Sequence, residues 1–173
     1  MFQISNEISY DGNMVQGNKE DKEKGDNGIW INVKGIATNK HYVQEQYEIL
    51  NKYLDKIKKR NIDLKDVFII SPFKSIVNKL KRNLEEKIIE KNIGTVHAFQ
   101  GKEAKIVFLV LGCDKYSLSS ARWAVGNDNP NIMNVAATRA KEEFYIIGDK
   151  EIYESLNSDV IKVCLKHLKS VDF

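Results

Sequence analysis

The sequence predicts an α/β domain: a mostly parallel sheet as the middle of three layers, with helices on both faces. Two observations carry this. Segments of strand length, 67–70, 106–111 and 144–147, are apolar at every position, as strands buried on both faces require. Between them lie segments whose apolar residues recur every three or four positions, as helices with one buried face require. The length of 173 residues suits one domain of ordinary size.

The elements follow in order. Residues 1–28 contain a polar stretch, 11–28, rich in Gly, Asn, Asp and Lys and without a period. They read as a flexible arm or linker, which puts the domain at 29–173. A β-like run, 29–33, opens the domain and is closed by Gly35. Val43, Tyr47, Leu50, Leu54 and Ile57 share one face of a helix over 42–60, ended by Asn61 and Asp63. The strand 67–70 is closed by Pro72, and Ile76, Val77, Leu80 and Leu84 form the next helical stripe. A short strand over 93–96 precedes the strand at 106–111. A long polar loop, 112–130, then leads to a helix that begins near Pro130 or Asn131 and runs through Ala140. After the strand at 144–147 and Gly148-Asp149, one or two helices finish the chain, with Val160, Val163, Cys164, Leu165 and Leu168 as the buried face. In such a sheet, ligands are expected beyond the carboxyl ends of the strands.

Composition limits the partners. With 42% hydrophobic and 29% charged residues, wholesale disorder is excluded. The net charge of +3 and pI of about 8.7 are compatible with a phosphate-bearing partner. The lysine-rich stretches 52–60 and 74–91 read either as such a surface or as solvated helix faces. Cys113 and Cys164 stand in no CxxC pattern, so neither a disulfide scaffold nor a zinc site is expected. They read as reduced thiols of a cytoplasmic protein, with no signal peptide or membrane span in view.

Two segments carry chemistry. The first is Thr95-Val96-His97-Ala98-Phe99-Gln100-Gly101-Lys102-Glu103, before the strand at 106–111. The second is Asn134-Val135-Ala136-Ala137-Thr138-Arg139-Ala140-Lys141, before the strand at 144–147. In order, spacing and strand context they resemble motifs V and VI of superfamily 1 helicases, in the branch that contains the nonsense-mediated-decay RNA helicase and related DNA helicases. The Ser-Pro-Phe after 67–70 is similar to that branch's turn before motif V. The resemblance spans roughly residues 29–150 and is sharp over 94–112 and 130–149. It implies the second, C-terminal RecA-like domain of an ATP-dependent DNA or RNA helicase.

The resemblance assigns roles residue by residue. Arg139 is the arginine finger: planar, permanently charged and able to stabilise the γ-phosphate of ATP during transfer. Gln100, Gly101 and Glu103 join Arg139 at the nucleotide, Glu103 by accepting hydrogen bonds from the ribose. Thr95 and His97 face single-stranded nucleic acid, donating to phosphates without reading bases. Pro72 and Phe73 lie near that track, and Arg122, with Trp123, approaches it from the loop. Each residue also has a structural reading: Arg139 in a surface ion pair, Glu103 solvated, Phe99 and Phe73 as core. Asn134 and Thr138 sit one helical turn apart and either orient Arg139 or brace the turn.

The sequence also departs from the family. It has no GxxxxGK[ST] and no Asp-Glu pair after a strand, so ATP and Mg²⁺ are expected to bind jointly with a first RecA-like domain outside this chain. Alone, the chain is expected to be inactive. The family's additional arginine is missing from Thr38-Asn39-Lys40-His41-Tyr42-Val43-Gln44-Glu45, where Lys40 offers only a point charge. The competing function is a stand-alone RecA-like module that binds nucleic acid or a protein without hydrolysing ATP. A different α/β enzyme would have only His97 and Glu103 as an acid–base pair.

Overall fold

A computed structural model of the chain describes residues 4, 6–8, 28–126 and 131–173. Most of the segment read as an arm, and residues 127–130 before the expected helix start, lie outside the described residues.

The sheet has six strands, all parallel. In chain order they are β1 (Gly28–Asn32), β4 (Val67–Ile70), β5 (Ile93–Gly94), β6 (Ala104–Val110), β7 (Ala140–Gly148) and β8 (Lys169–Asp172). Their spatial order is β5-β4-β6-β7-β1-β8. A small antiparallel hairpin, β2 (Ala37–Thr38) with β3 (Tyr42–Val43), stands apart from the sheet. The helices are α1 (Gln44–Lys59), α2 (Lys74–Asn83), α3 (Leu118–Val125), α4 (Asn131–Arg139), α5 (Lys150–Ser155) and α6 (Asp159–His167).

The central strands are buried along their length because both faces are covered. Register places Ile69, Phe108 and Tyr145 side by side on one face. There Phe108 stacks on Tyr145 with ring centroids 4.8 Å apart, and Tyr53 of α1 packs edge-on against both. α2 joins α1 on that side, tied by Tyr47, whose hydroxyl donates to the Asn83 carbonyl at 3.4 Å. The opposite face presents Phe68, Val107 and Phe144 in register. It receives Phe99 from a 3-10 turn (Val96–Phe99), 4.5 Å from the Phe68 ring. Trp30 of β1 meets Tyr153 of α5 on the same face. The indole of Trp30 donates to the Gly148 carbonyl at 3.2 Å, locking β1 to β7.

Local chemistry sets several ends. Asn61, with φ 57°, closes α1 in the left-handed region that asparagine tolerates. Asp149 caps α5, its carboxylate accepting from the Glu151 and Ile152 amides.

The structure differs from the sequence reading at several places. The loop expected over 112–130 contains α3, whose Ala121, Ala124 and Val125 are buried. Its short apolar stripe, two alanines and a valine, carries little periodic signal. The helix expected from residue 42 starts at Gln44, because Tyr42 and Val43 pair with Ala37 and Thr38. The strand expected over 93–96 stops at Gly94, where the 3-10 turn takes over. β8 was not expected: its residues are exposed, and it gains its place only by pairing with β1. From the expected arm, Ile4 is fully buried, and the Glu7 carboxylate pairs with Lys166 at 2.8 Å and His167 at 3.0 Å. No helix among the described residues is long and apolar enough to cross a membrane.

Candidate functional site

The residues singled out from the sequence fall at opposite ends of the sheet. Ala104 and Ala140 are register partners at the amino ends of β6 and β7. Glu103 and Arg139 immediately precede them and are therefore neighbours, with Gln100 and Gly101 in the turn before β6. Thr95, Pro72 and Phe73 follow β5 and β4 and lie at the carboxyl ends. The expectation of one site beyond the carboxyl ends is thus corrected: the connection from β5 to β6 runs back along the sheet face and delivers its last residues to the other end.

At the amino ends, Arg139 is half-buried and held by neutral groups. Its Nη1 donates to the carbonyls of Phe99 at 3.4 Å and Lys102 at 3.3 Å, and its Nη2 donates to the Thr138 hydroxyl at 3.1 Å. Thr138 in turn donates to the Val135 carbonyl at 2.9 Å, which fixes the hydroxyl for that role. The Nε of Arg139 is buried with no partner, and no carboxylate lies within ion-pair distance among the described residues. The charge is aimed by three acceptors and has no counter-ion among the described residues, so an entering anion would meet an oriented donor. Glu103 pairs instead with Lys141 at 3.0 Å, both more than half exposed. An exposed pair of this kind is weak and exchanges readily with another partner. Gly101 adopts φ 72°, the left-handed region glycine enters without strain, and Gln100 beside it is exposed.

At the carboxyl ends, the Ser71 amide donates to the Gly94 carbonyl at 3.1 Å, which sets Thr95 beside the Ser71–Phe73 turn. Pro72 and Phe73 are buried. Phe73 meets two other rings: His41 stacks on it with centroids 4.0 Å apart, and Trp123 of α3 lies tilted at 5.9 Å. His97 and Arg122 are exposed, on the 3-10 turn and on α3.

His41 was not singled out from the sequence, and it organises this end. Its Nδ1 lies 3.2 Å from the Ser75 hydroxyl and its Nε2 lies 3.1 Å from that of Ser120. Burial, and after it the Lys40 charge, hold the imidazole below its ordinary pKa. It is therefore neutral near pH 7, one nitrogen donating and the other accepting. The hairpin bearing it is fastened by the loop after β6: the Cys113 amide donates to the His41 carbonyl at 2.9 Å, and the Asp114 carboxylate accepts from the Ala37 amide at 2.8 Å. Sequence separations of 34 and 79 residues between His41 and its serines leave no local signal by which to find the cluster.

Comparisons with known proteins agree on the kind of domain. Residues 2–151 match the family described as AAA domain. The chain is 24% identical over 124 residues to the DNA polymerase alpha-associated DNA helicase A of Saccharomyces cerevisiae, covering 70% of this chain and 17% of that protein. It is 27% identical over 126 residues to the putative helicase MOV-10 of Gallus gallus, covering 62% and 13%. It is 28% identical over 145 residues to an uncharacterised ATP-dependent helicase of Methanocaldococcus jannaschii, covering 83% and 20%. The chain therefore spans a fifth or less of the length of these relatives. Among solved structures, the C-terminal domain of a possible DNA helicase from Lactobacillus plantarum superposes with a TM-score of 0.62 at 11% identity, covering 98% of this chain and 93% of that one.

Proposed function

The chain belongs to the AAA domain family and is a RecA-like helicase domain, and on that premise we propose that it serves as the second motor domain of an ATP-dependent helicase, completing the nucleotide site from one end of its sheet and gripping a single strand of DNA or RNA with the other. The observation that carries this reading is Arg139: a half-buried guanidinium held by three neutral acceptors, with an unpartnered buried Nε and no carboxylate in reach among the described residues. A structural arginine so placed would ordinarily be neutralised. An arginine finger must keep its charge for the γ-phosphate.

ATP supplies the phosphoanhydride, and the phosphate cradle and magnesium ligands come from a first RecA-like domain. Alone, the chain does not hydrolyse ATP at a useful rate. Its own residues act on the bound nucleotide. Arg139 stabilises charge that develops on the transferred phosphoryl group. Glu103 exchanges Lys141 for the ribose hydroxyls, Gly101 lets the backbone turn close beside the nucleotide, and Gln100 stands at the cleft. At the opposite end, Thr95 and His97 contact the phosphates of the strand, Arg122 adds a cation from α3, and Pro72 and Phe73 shape the turn beneath it. The separation of the two groups by the length of the sheet suits a motor, since closure at the nucleotide is transmitted through a rigid body to the strand.

The test is steady-state ATP hydrolysis by the full-length protein, wild type beside Arg139→Ala, with and without single-stranded DNA or RNA. We expect stimulation by one of the nucleic acids and a loss of roughly a thousandfold in the variant. An Arg139→Ala protein that hydrolyses ATP like wild type removes the finger assignment.

A further inference from the structure

A short helical segment ahead of the sheet is held on the last turn of α6. Residues 4 and 6–8 are helical, so side chains three and four apart are neighbours on one side. Ile4 is fully buried, and Ile8, one turn on, packs partly buried against the core. Glu7 meets two cations. Its Oε1 accepts from Lys166 Nζ at 2.8 Å and lies 3.0 Å from His167 Nε2, and its Oε2 accepts from Lys166 at 3.0 Å. Both partners stand in the last turn of α6, where the helix end itself carries partial negative charge. The Glu7 carboxylate is therefore held by the two side chains and not by the helix. The side chain of Lys166 is 63% exposed and that of Glu7 31% exposed, so salt screens this pair while it leaves Ile4 untouched. α6 ends one residue before β8, whose Lys169 pairs with Ile29 of β1. The contact thus lies at the amino end of the sheet, the end that also carries Arg139.

We propose that residues 4–8 are a releasable strap, seated by Ile4 and clasped by Glu7 on Lys166 and His167. The two parts of the hold differ in kind. Burial of Ile4 supplies attraction without direction, while the carboxylate between two cations fixes where the segment lies and makes the hold sensitive to ionic strength. An exposed clasp of this strength opens without unfolding the domain, since local openings draw on the weakest contacts. The strap decides whether the chain ahead of β1 is tied to α6 or free at the amino end of the sheet. It stands apart from the helicase reading: loss of the strap leaves the assignment of Arg139 untouched, and loss of that assignment leaves the strap.

The test is amide hydrogen exchange of the whole chain, read by mass spectrometry over residues 1–10, beside urea unfolding of the same proteins. At low ionic strength the amides of residues 6–8 should be protected in wild type. Glu7→Lys sets like charges together and should speed their exchange roughly tenfold. Glu7→Lys combined with Lys166→Glu restores opposite charges and should return the rate to within roughly threefold of wild type, an outcome that a loss of packing would not give. Ile4→Ala removes the seat and should speed exchange without any change in charge. Salt at about 1 M, where screening acts over about 3 Å, should speed exchange in wild type more than in Glu7→Lys. The strap is refuted if wild type exchanges here at the rate of an unstructured peptide, if Glu7→Lys exchanges like wild type, or if the paired reversal fails to restore protection. It is refuted equally if Glu7→Lys lowers the urea midpoint of the whole domain in step with the exchange, because Glu7 is then part of the fold and not of a releasable contact.

Discussion

Replacing Gly112 by alanine perturbs the joint between the sheet and the hairpin that carries His41. Gly112 follows β6 at φ 61°, and an added Cβ would overlap the His41 carbonyl oxygen and the Ile76 methyl. The carbonyl belongs to backbone, already engaged by the Cys113 amide, so it cannot give way. Three effects add. The left-handed conformation costs a non-glycine residue about 1–2 kcal/mol. Crowding of a packed site costs about 1–3 kcal/mol. Any shift that relieves the crowding weakens the bond from the Gly112 amide to the buried Gln46 side chain, 2.9 Å long. The first two alone give roughly 2–5 kcal/mol, or roughly 4–20 °C in midpoint for a domain of this size. Gly101→Ala is the internal control: φ is 72° there, but nothing lies within 4 Å of the added carbon, so only the conformational cost of about 1–2 kcal/mol applies. Equilibrium urea unfolding of both variants beside wild type measures the difference. Equal losses for the two, or a loss below about 1 kcal/mol for Gly112→Ala, would refute the claim that this contact holds the hairpin in place.

Two further outcomes follow from the titrating groups. Burial opposes ionisation of Asp114, but hydrogen bonds from the Ala37 amide, the Ser117 side chain and the Tyr116 and Ser117 amides outweigh it and hold the carboxyl below its ordinary pKa. Its stabilising contribution is therefore complete above the ordinary carboxylate range and is lost as pH falls through the lowered folded value. The stability gap between wild type and Asp114→Asn should shrink as pH falls below about 5, and a gap independent of pH would exclude an ionised, hydrogen-bonded Asp114. Both cysteines are buried and free; burial pushes the Cys164 thiol up to about 12 and raises Cys113 as well. Neither should react with a thiol-specific disulfide reagent near pH 8 until the chain is unfolded, and rapid labelling of the native protein would contradict their placement in the core.

The sequence alone was enough for the fold class, because continuous apolar runs alternating with helical stripes admit few arrangements besides a covered parallel sheet. It also carried the two segments whose resemblance points to a helicase, since their residue pattern is local: a glycine before Glu103, and Thr138-Arg139 at the end of a helix. Elements stabilised by distant partners were not legible. α3 is a short helix that buries only Ala121, Ala124 and Val125, and β8 is an exposed strand that exists by virtue of β1. Which residues share a site was likewise decided only by the tertiary structure. Register brings Ala104 to Ala140 and so places Glu103 beside Arg139, while the return of the β5–β6 connection along the sheet sends Thr95 and Glu103 to opposite ends. The contacts of Phe73 with His41 and Trp123 join three segments far apart in the chain. Periodicity reports what one segment buries; it carries no information about which surfaces meet once the sheet has set their positions.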